Sequence, residues 1–174
     1  ELLKVEKLHP ILAQNESLSH RGVELLADTA GELLAKHIVL DETWFERFTA
    51  VYLLQLASNP TLTERMQEIL IRSEHDEVMN ALASNSALSP ARCTYLHSLG
   101  RFSAALAANP SLSDKILVEL SQSNDPSILA ALAANPSTPI DVLYQLSLDQ
   151  RFERSVKTNP AFGKHIQTHN IGWS

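Results

Sequence analysis

The amino-acid sequence predicts an all-α fold, a right-handed α-solenoid of about seven helix–corner–helix repeats of 22–26 residues each. Three observations carry that prediction. A short phrase returns along the chain, as LAANPSLS at Leu106 and again as LAANPSTP at Leu132. Apolar residues return at set distances on both sides of it. Leu and Ala dominate a chain with few aromatic residues (2 Trp, 3 Tyr and 5 Phe), a composition that favours helix over sheet.

Aligned on the fourth residue of the phrase, the anchors are Asn15, His37, Asn59, Asn85, Asn109, Asn135 and Asn159, at spacings of 22, 22, 26, 24, 26 and 24. Three residues before each anchor stand Leu12, Leu34, Leu56, Leu82, Leu106, Leu132 and Val156. Seven before stand Leu8, Ala30, Tyr52, Val78, Phe102, Ile128 and Phe152. Apolar residues four apart share one helical face, so a first helix runs into every anchor. Beyond the anchor a second helix is predicted by Leu18, Leu40, Leu62, Leu88, Leu112, Thr138 and Phe162 at three after. Leu26, Phe48, Leu70, Leu96, Leu120 and Leu146 follow at eleven after, with Asn170 discordant. Ser19, Asp41, Thr63, Ser89 and Ser113 stand four past their anchors, as N-caps whose oxygen accepts a free first-turn NH. Pro90 follows Ser89 at the first helical position, and Thr138-Pro139-Ile140-Asp141 reads as a similar start one residue early.

The Asn-Pro step is a corner. Proline disfavours helix for the residue before it and lacks the NH to continue one, while Asn tolerates turns and bonds nearby backbone. A role in closing each corner is favoured over a ladder of ligand-binding amides, and His37 inherits that reading. Between units the spacing from the last core position to the next first one is four residues twice, then eight, six, eight and six. The short spacings predict single long helices over 19–36, with Gly31 as a weak point, and over 41–58. Later units carry polar loops there: IRSEHDE at Ile71, HSLGR at His97, SQSNDPS at Ser121 and SLDQR at Ser147. A unit this short cannot bury its own apolar stripe, and stacking buries it. The expectation is one helical-repeat domain over 1–174, with tighter repeats over 8–58, regular repeats over 56–162 and a C-terminal cap over 163–174.

The stretch LAANPSTPIDVLYQLSLDQRFERSVKTNP, from Leu132 to Pro160, resembles the leucine-rich repeat variant family, whose units alternate short helices around an Asn-Pro corner. The resemblance covers Leu56 to Phe162 and implies a superhelical stack, more loosely like HEAT and armadillo arrays, whose repeats are longer. Some relatives carry a cysteine-ligated iron–sulfur segment. Cys93 is the single cysteine here, so that feature is not carried over, and no cofactor or metal is expected.

Little in the chain points to catalysis. His165 and His169 are four apart, as in zinc sites, yet no Glu follows His165, and a terminal surface pair is the preferred reading. Cys93 reads as a buried thiol, and Glu74, His75, Asp76 and Glu77 as a solvated loop. Trp44-Phe45 is either extra packing or an exposed anchor. Arg21 with Glu24, and Arg65 with Glu68, are spaced as helical ion pairs. The function expected is therefore a non-catalytic scaffold for a protein or peptide partner, with a loop ridge of His75, Asp76, Arg101, Asn124 and Arg151 as its binding face. The alternative is a nucleic-acid binder with a basic stripe of Arg21, Arg65, Arg92 and Lys115, which the net charge of −6 disfavours. No apolar run is long enough to span a bilayer and no signal-peptide pattern is present, so a cytoplasmic location is expected. The opening residue, Glu1 rather than Met, leaves room for a preceding segment.

Overall fold

The computed structural model describes residues 6–169, and all regular structure among them is helical. The chain groups into two compact units, Glu1–Leu88 and Ser89–Ser174. In the first, a 3-10 turn at Glu6–Leu8 leads into α1 (His9–Leu12), α2 (His20–His37), α3 (Glu42–Thr49), α4 (Leu53–Ala57), α5 (Glu64–Arg72) and α6 (Asp76–Ala83). The second holds α7 (Pro90–Ser98), α8 (Ser103–Ala107), α9 (Asp114–Ser121), α10 (Pro126–Ala134), α11 (Ile140–Ser147), α12 (Gln150–Thr158) and α13 (Pro160–Thr168). Asn170 and residues 170–174 of the expected cap lie outside the described residues.

First helices of successive repeats pack side by side: α4 lies against α6 in the first unit, and α10 lies between α8 and α12 in the second. Most of the residues predicted to face inward do so, while Leu8, Leu12 and Leu18 of the first repeat and Tyr52 are only half-buried. Leu34, Leu56, Leu82, Leu106, Leu132 and Val156 are fully buried, each contributing about 1.5–3 kcal/mol of apolar burial. An unpredicted position joins them. Ala13, Ala35, Ala57, Ala83, Ala107 and Ala133, two before the anchor, are also fully buried, and so small a side chain lets neighbouring first helices approach closely.

Caps form where Ser19 accepts from Gly22 N (3.3 Å), Asp41 from Trp44 N (2.8 Å) and Thr63 from Met66 N (3.4 Å). Ser89 and Ser113 hold the N-cap position without a bond from the side chain to the first turn, and Ser89 Oγ instead accepts the Arg92 guanidinium at 3.2 Å. At Thr138 the sequence reading is corrected: Pro139 is the N-cap, and the buried Thr138 hydroxyl donates back to Leu132 O at 2.7 Å.

The two predicted long helices also need correction. Over 41–58 the chain breaks into α3 and α4 at Tyr52 (φ −121°, ψ 38°). In α2 the helix kinks at Ala30 (φ −140°, ψ 25°), one residue before the predicted weak point. Phe102 bends similarly (φ −116°, ψ 22°), so the break falls seven before the anchor even where no loop intervenes. Gly31 has a different task. A Cβ there would lie 2.7 Å from Tyr52 Cε2, so glycine admits the tyrosine ring against α2.

Candidate functional site

Five of the six anchor asparagines face the fold's interior, and Asn15 of the first repeat is exposed. Asn59, Asn85, Asn109, Asn135 and Asn159 are all buried, and four of them show one pattern of amide bonds. Asn85 Nδ2 donates to Ala57 O and Asn59 O, both at 2.8 Å. In the second unit Asn135 donates to Ala107 O (2.7 Å) and Asn109 O (3.0 Å), and Asn159 to Ala133 O and Asn135 O, both at 2.9 Å. Each amide thus reaches the preceding repeat's anchor carbonyl and the carbonyl two residues before it. Asn59 does the same with Ala35 O, but its second bond slides one residue, to Ile38 O, because His37 is not the corner residue. Ile38 caps α2 in extended backbone and is buried.

The covalent chemistry of the corner creates the acceptor. A carbonyl two before the anchor would normally receive an NH three or four residues on. At Ala107 the third residue is Pro110, which has no NH, and the fourth is Ser111, whose NH is held by Asn109 Oδ1 at 2.8 Å. Ala57 and Ala133 are stripped in the same way, by Pro60 with Thr61 and by Pro136 with Ser137. At Asn59, Asn109 and Asn135 the Asn-Pro step therefore empties one carbonyl of its own repeat, and the next repeat's asparagine fills it. These amides are committed to the fold, which removes them from the candidate ligand contacts.

All five ridge residues are exposed. In the first unit His75 is the N-cap of α6 and Asp76 its first residue, directly after Glu74, whose φ of 56° is left-handed. In the second, Arg101, Asn124 and Arg151 stand at the starts of α8, α10 and α12, helices that pack side by side. Arg101 and Arg151 lie over the rings of the core residues Phe102 and Phe152, with Cζ 5.3 and 5.1 Å from the centroids. Arg151 also grips Asp149, through Nε at 3.0 Å and Nη2 at 2.6 Å to Oδ2. That side-chain bond, then the bond from Arg151 N, holds the Asp149 carboxyl below its usual range. Asp125, the N-cap of α10, is lowered by the Ser127 hydroxyl and then by Ser127 N, both at 2.8 Å.

The alternative basic stripe is interrupted by acid. Arg65 Nη1 pairs with Glu42 at 2.8 Å, not with Glu68 as its helical spacing suggests, and Glu68 pairs with Arg72. Lys115 stands 4.0 Å from Glu119, Arg92 is half-buried, and Arg21 is exposed.

Trp44 and Phe45 are buried, which settles them as packing. The Trp44 indole NH donates to His20 Nδ1 at 3.2 Å, and Arg47 lies over its ring. Cys93 is buried and desolvation pushes its thiol up to about 11, far from the range of a nucleophile. His169 Nδ1 donates to His165 O at 3.0 Å, leaving the two rings in contact at 4.2 Å. Among the described residues no group of three or more His, Cys, Asp or Glu side chains is placed to hold a metal ion, and no helix is long and apolar enough to cross a membrane.

Sequence reasoning missed Gln67, a buried amide that donates to Leu62 O (3.1 Å) and Ala87 O (2.7 Å). The signal was present. Eight after the anchor, where Gln67 stands, five other units carry Val23, Phe45, Cys93, Leu117 and Leu143, all buried, and the last carries the exposed Gln167. Comparison of the chain with protein-family models, with curated proteins and with solved structures finds no match.

Proposed function

We propose that the chain is a non-catalytic scaffold, a right-handed solenoid of about seven repeats that offers a row of loops to a protein or peptide partner. The observation that carries this reading is the division of labour within each repeat. Leu, Ala and Asn of the corner end are consumed by packing and by the amide ladder, whereas His75, Asp76, Arg101, Asn124 and Arg151 are exposed at the opposite, loop-bearing end. Core demands do not explain those loops, whose length varies while the rest of the repeat is constant. Resemblance to leucine-rich repeat variant units supports the same architecture.

The test is selection of a phage-displayed random peptide library on the immobilised chain. Saturable binders are expected, and their affinity should fall at least tenfold on a variant with Ala at all five ridge positions. That variant should keep its helical circular dichroism, since solvated surface changes cost within about 0.5 kcal/mol each. Binders indifferent to the ridge but lost on charge reversal at Glu24, Glu46 and Glu68 would move the binding face to the second helices. A library that yields no saturable binder would overturn the scaffold itself.

A further inference from the structure

In the second unit a cavity of about 200 Å³ opens where the C-terminal ends of α9 and α11 meet the starts of α10 and α12. Its lining combines the apolar Leu129, Leu146 and Phe152 with the polar Ser121, Gln145 and Asp149. It lies at the same end of the repeats as Asn124 and Arg151. Its size decides what it can hold. Small-molecule and cofactor sites run to about 300–1,000 Å³, whereas a cavity of about 150 Å³ already accepts a benzene-sized group. This one therefore suits a single large side chain. A groove lined by Phe45, Met66 and Ile69 in the first unit offers about 20 Å³, too little for any.

The surroundings specify the rest of the occupant. Leu148, next to Asp149, is 87% exposed, so apolar surface continues beyond the cavity. Asp149 is already neutralised by Arg151. Asp125 is not neutralised: its carboxylate rests on the uncharged Ser127 NH and hydroxyl, one helical turn before Leu129 on α10. Residues so spaced are neighbours, their Cβ atoms about 5–6 Å apart.

We propose that this cavity is the scaffold's anchor pocket, taking one Leu- or Phe-sized side chain of an extended peptide whose adjacent Lys or Arg pairs with Asp125. The proposal rests on the scaffold reading and names the class of partner. An apolar anchor in a pocket would supply affinity, and the carboxylate would select for a basic neighbour.

Two capped pentapeptides test it, arginine–leucine–arginine–phenylalanine–arginine and its counterpart with glutamate for arginine, titrated into the intact chain with methyl-labelled Leu and Val. Leu129, Val142 and Leu146 methyls should shift saturably with the arginine peptide, at a Kd of about 1 mM or tighter, and at least fivefold more weakly with the glutamate peptide. Ser121→Leu, which fills the cavity, should abolish the shifts while circular dichroism stays helical. Asp125→Ser keeps an N-cap oxygen but no charge, and should bring the two peptides within twofold of each other. No saturation below about 10 mM, or equal affinity of both peptides for the unaltered chain, would overturn the proposal. Library-selected peptides that bind Ser121→Leu undiminished would overturn the pocket yet leave the scaffold standing.

Discussion

Removing one rung of the asparagine ladder should cost more than any exposed substitution, and Asn135 is the position to test. Asn135→Ala deletes three bonds, from Nδ2 to Ala107 O and Asn109 O and from Ser137 N to Oδ1. Their losses are unequal. Asn109 O still accepts from Leu112 N at 3.3 Å, and Ser137 is only half-buried, so each of those bonds is worth about 0.5–1 kcal/mol net. Ala107 O is left buried with no donor in reach of its own helix, a penalty of about 1–3 kcal/mol. The sum is about 2–5 kcal/mol, a large share of a domain's stability of about 5–15 kcal/mol. Urea denaturation followed by circular dichroism measures it against Asn124→Ala, an exposed control expected within about 0.5 kcal/mol of the parent. Asn135→Asp sharpens the argument. It keeps the acceptor for Ser137 N but turns an ionised oxygen toward two carbonyls, so at neutral pH it should be worse than alanine. Burial raises that carboxyl, so the folded state binds the proton first and the deficit shrinks as pH falls, when a protonated acid can donate one bond again. An Asn135→Ala cost no greater than that of the control, or an Asp variant as stable as the parent at neutral pH, would refute the ladder as a source of stability.

Glu74 occupies left-handed backbone where the next repeat places Gly100 (φ 68°), so Glu74→Gly should stabilise by about 0.5–1 kcal/mol. That is the balance of about 1–2 kcal/mol of relieved strain against the chain entropy glycine adds when unfolded; a Glu74→Gly variant no more stable than Glu74→Ala would contradict it. For Cys93 the folded thiol stays protonated to about 11 while the unfolded one ionises at its ordinary value of 9.0. The unfolded state therefore binds fewer protons between those values, and stability falls as pH rises through them, by about 3 kcal/mol relative to a Cys93→Ala variant. A stability difference between the two proteins that does not change with alkaline pH would show the thiol to be solvated.

The parts of this structure that were legible in the sequence are those set by local periodicity. Leu and Val three before each anchor, their partners seven before and the oxygens at Ser19, Asp41 and Thr63 all act within one or two turns of a helix, so spacing alone places them. What was not legible depends on which repeat lies alongside. Asn135 was read as closing its own corner, and its Oδ1 does, but its NH₂ works on residues 26 and 28 positions earlier. Arg65 chose Glu42, 23 residues back, over Glu68 on its own helix, because a neighbouring repeat offers a carboxylate at 2.8 Å. Gln67 drew no notice in the sequence, and its amide is buried between the carbonyls of Leu62 and Ala87. The cavity beside Leu129 has no periodic signature at all, because it arises from the spacing of helices rather than from residue type.

The same comparison explains where such a chain is free to vary. From seven before the anchor to eleven after, the first six repeats keep their apolar positions within the same 19 residues, while the step from the last of these to the first of the next repeat changes between four, six and eight. That span contains the anchor amide and the carbonyl two residues before the anchor, which work only at one mutual spacing: a residue inserted there would move the amide away from its acceptor. The connections carry no rung. Their lengthening costs little, since loop-closure entropy grows only by about 0.6 kcal/mol per doubling. Stability in this architecture is thus concentrated at the corner end of each repeat. The loop end, where Arg101, Asn124 and Arg151 lie, carries no such bonds and is free to vary in length.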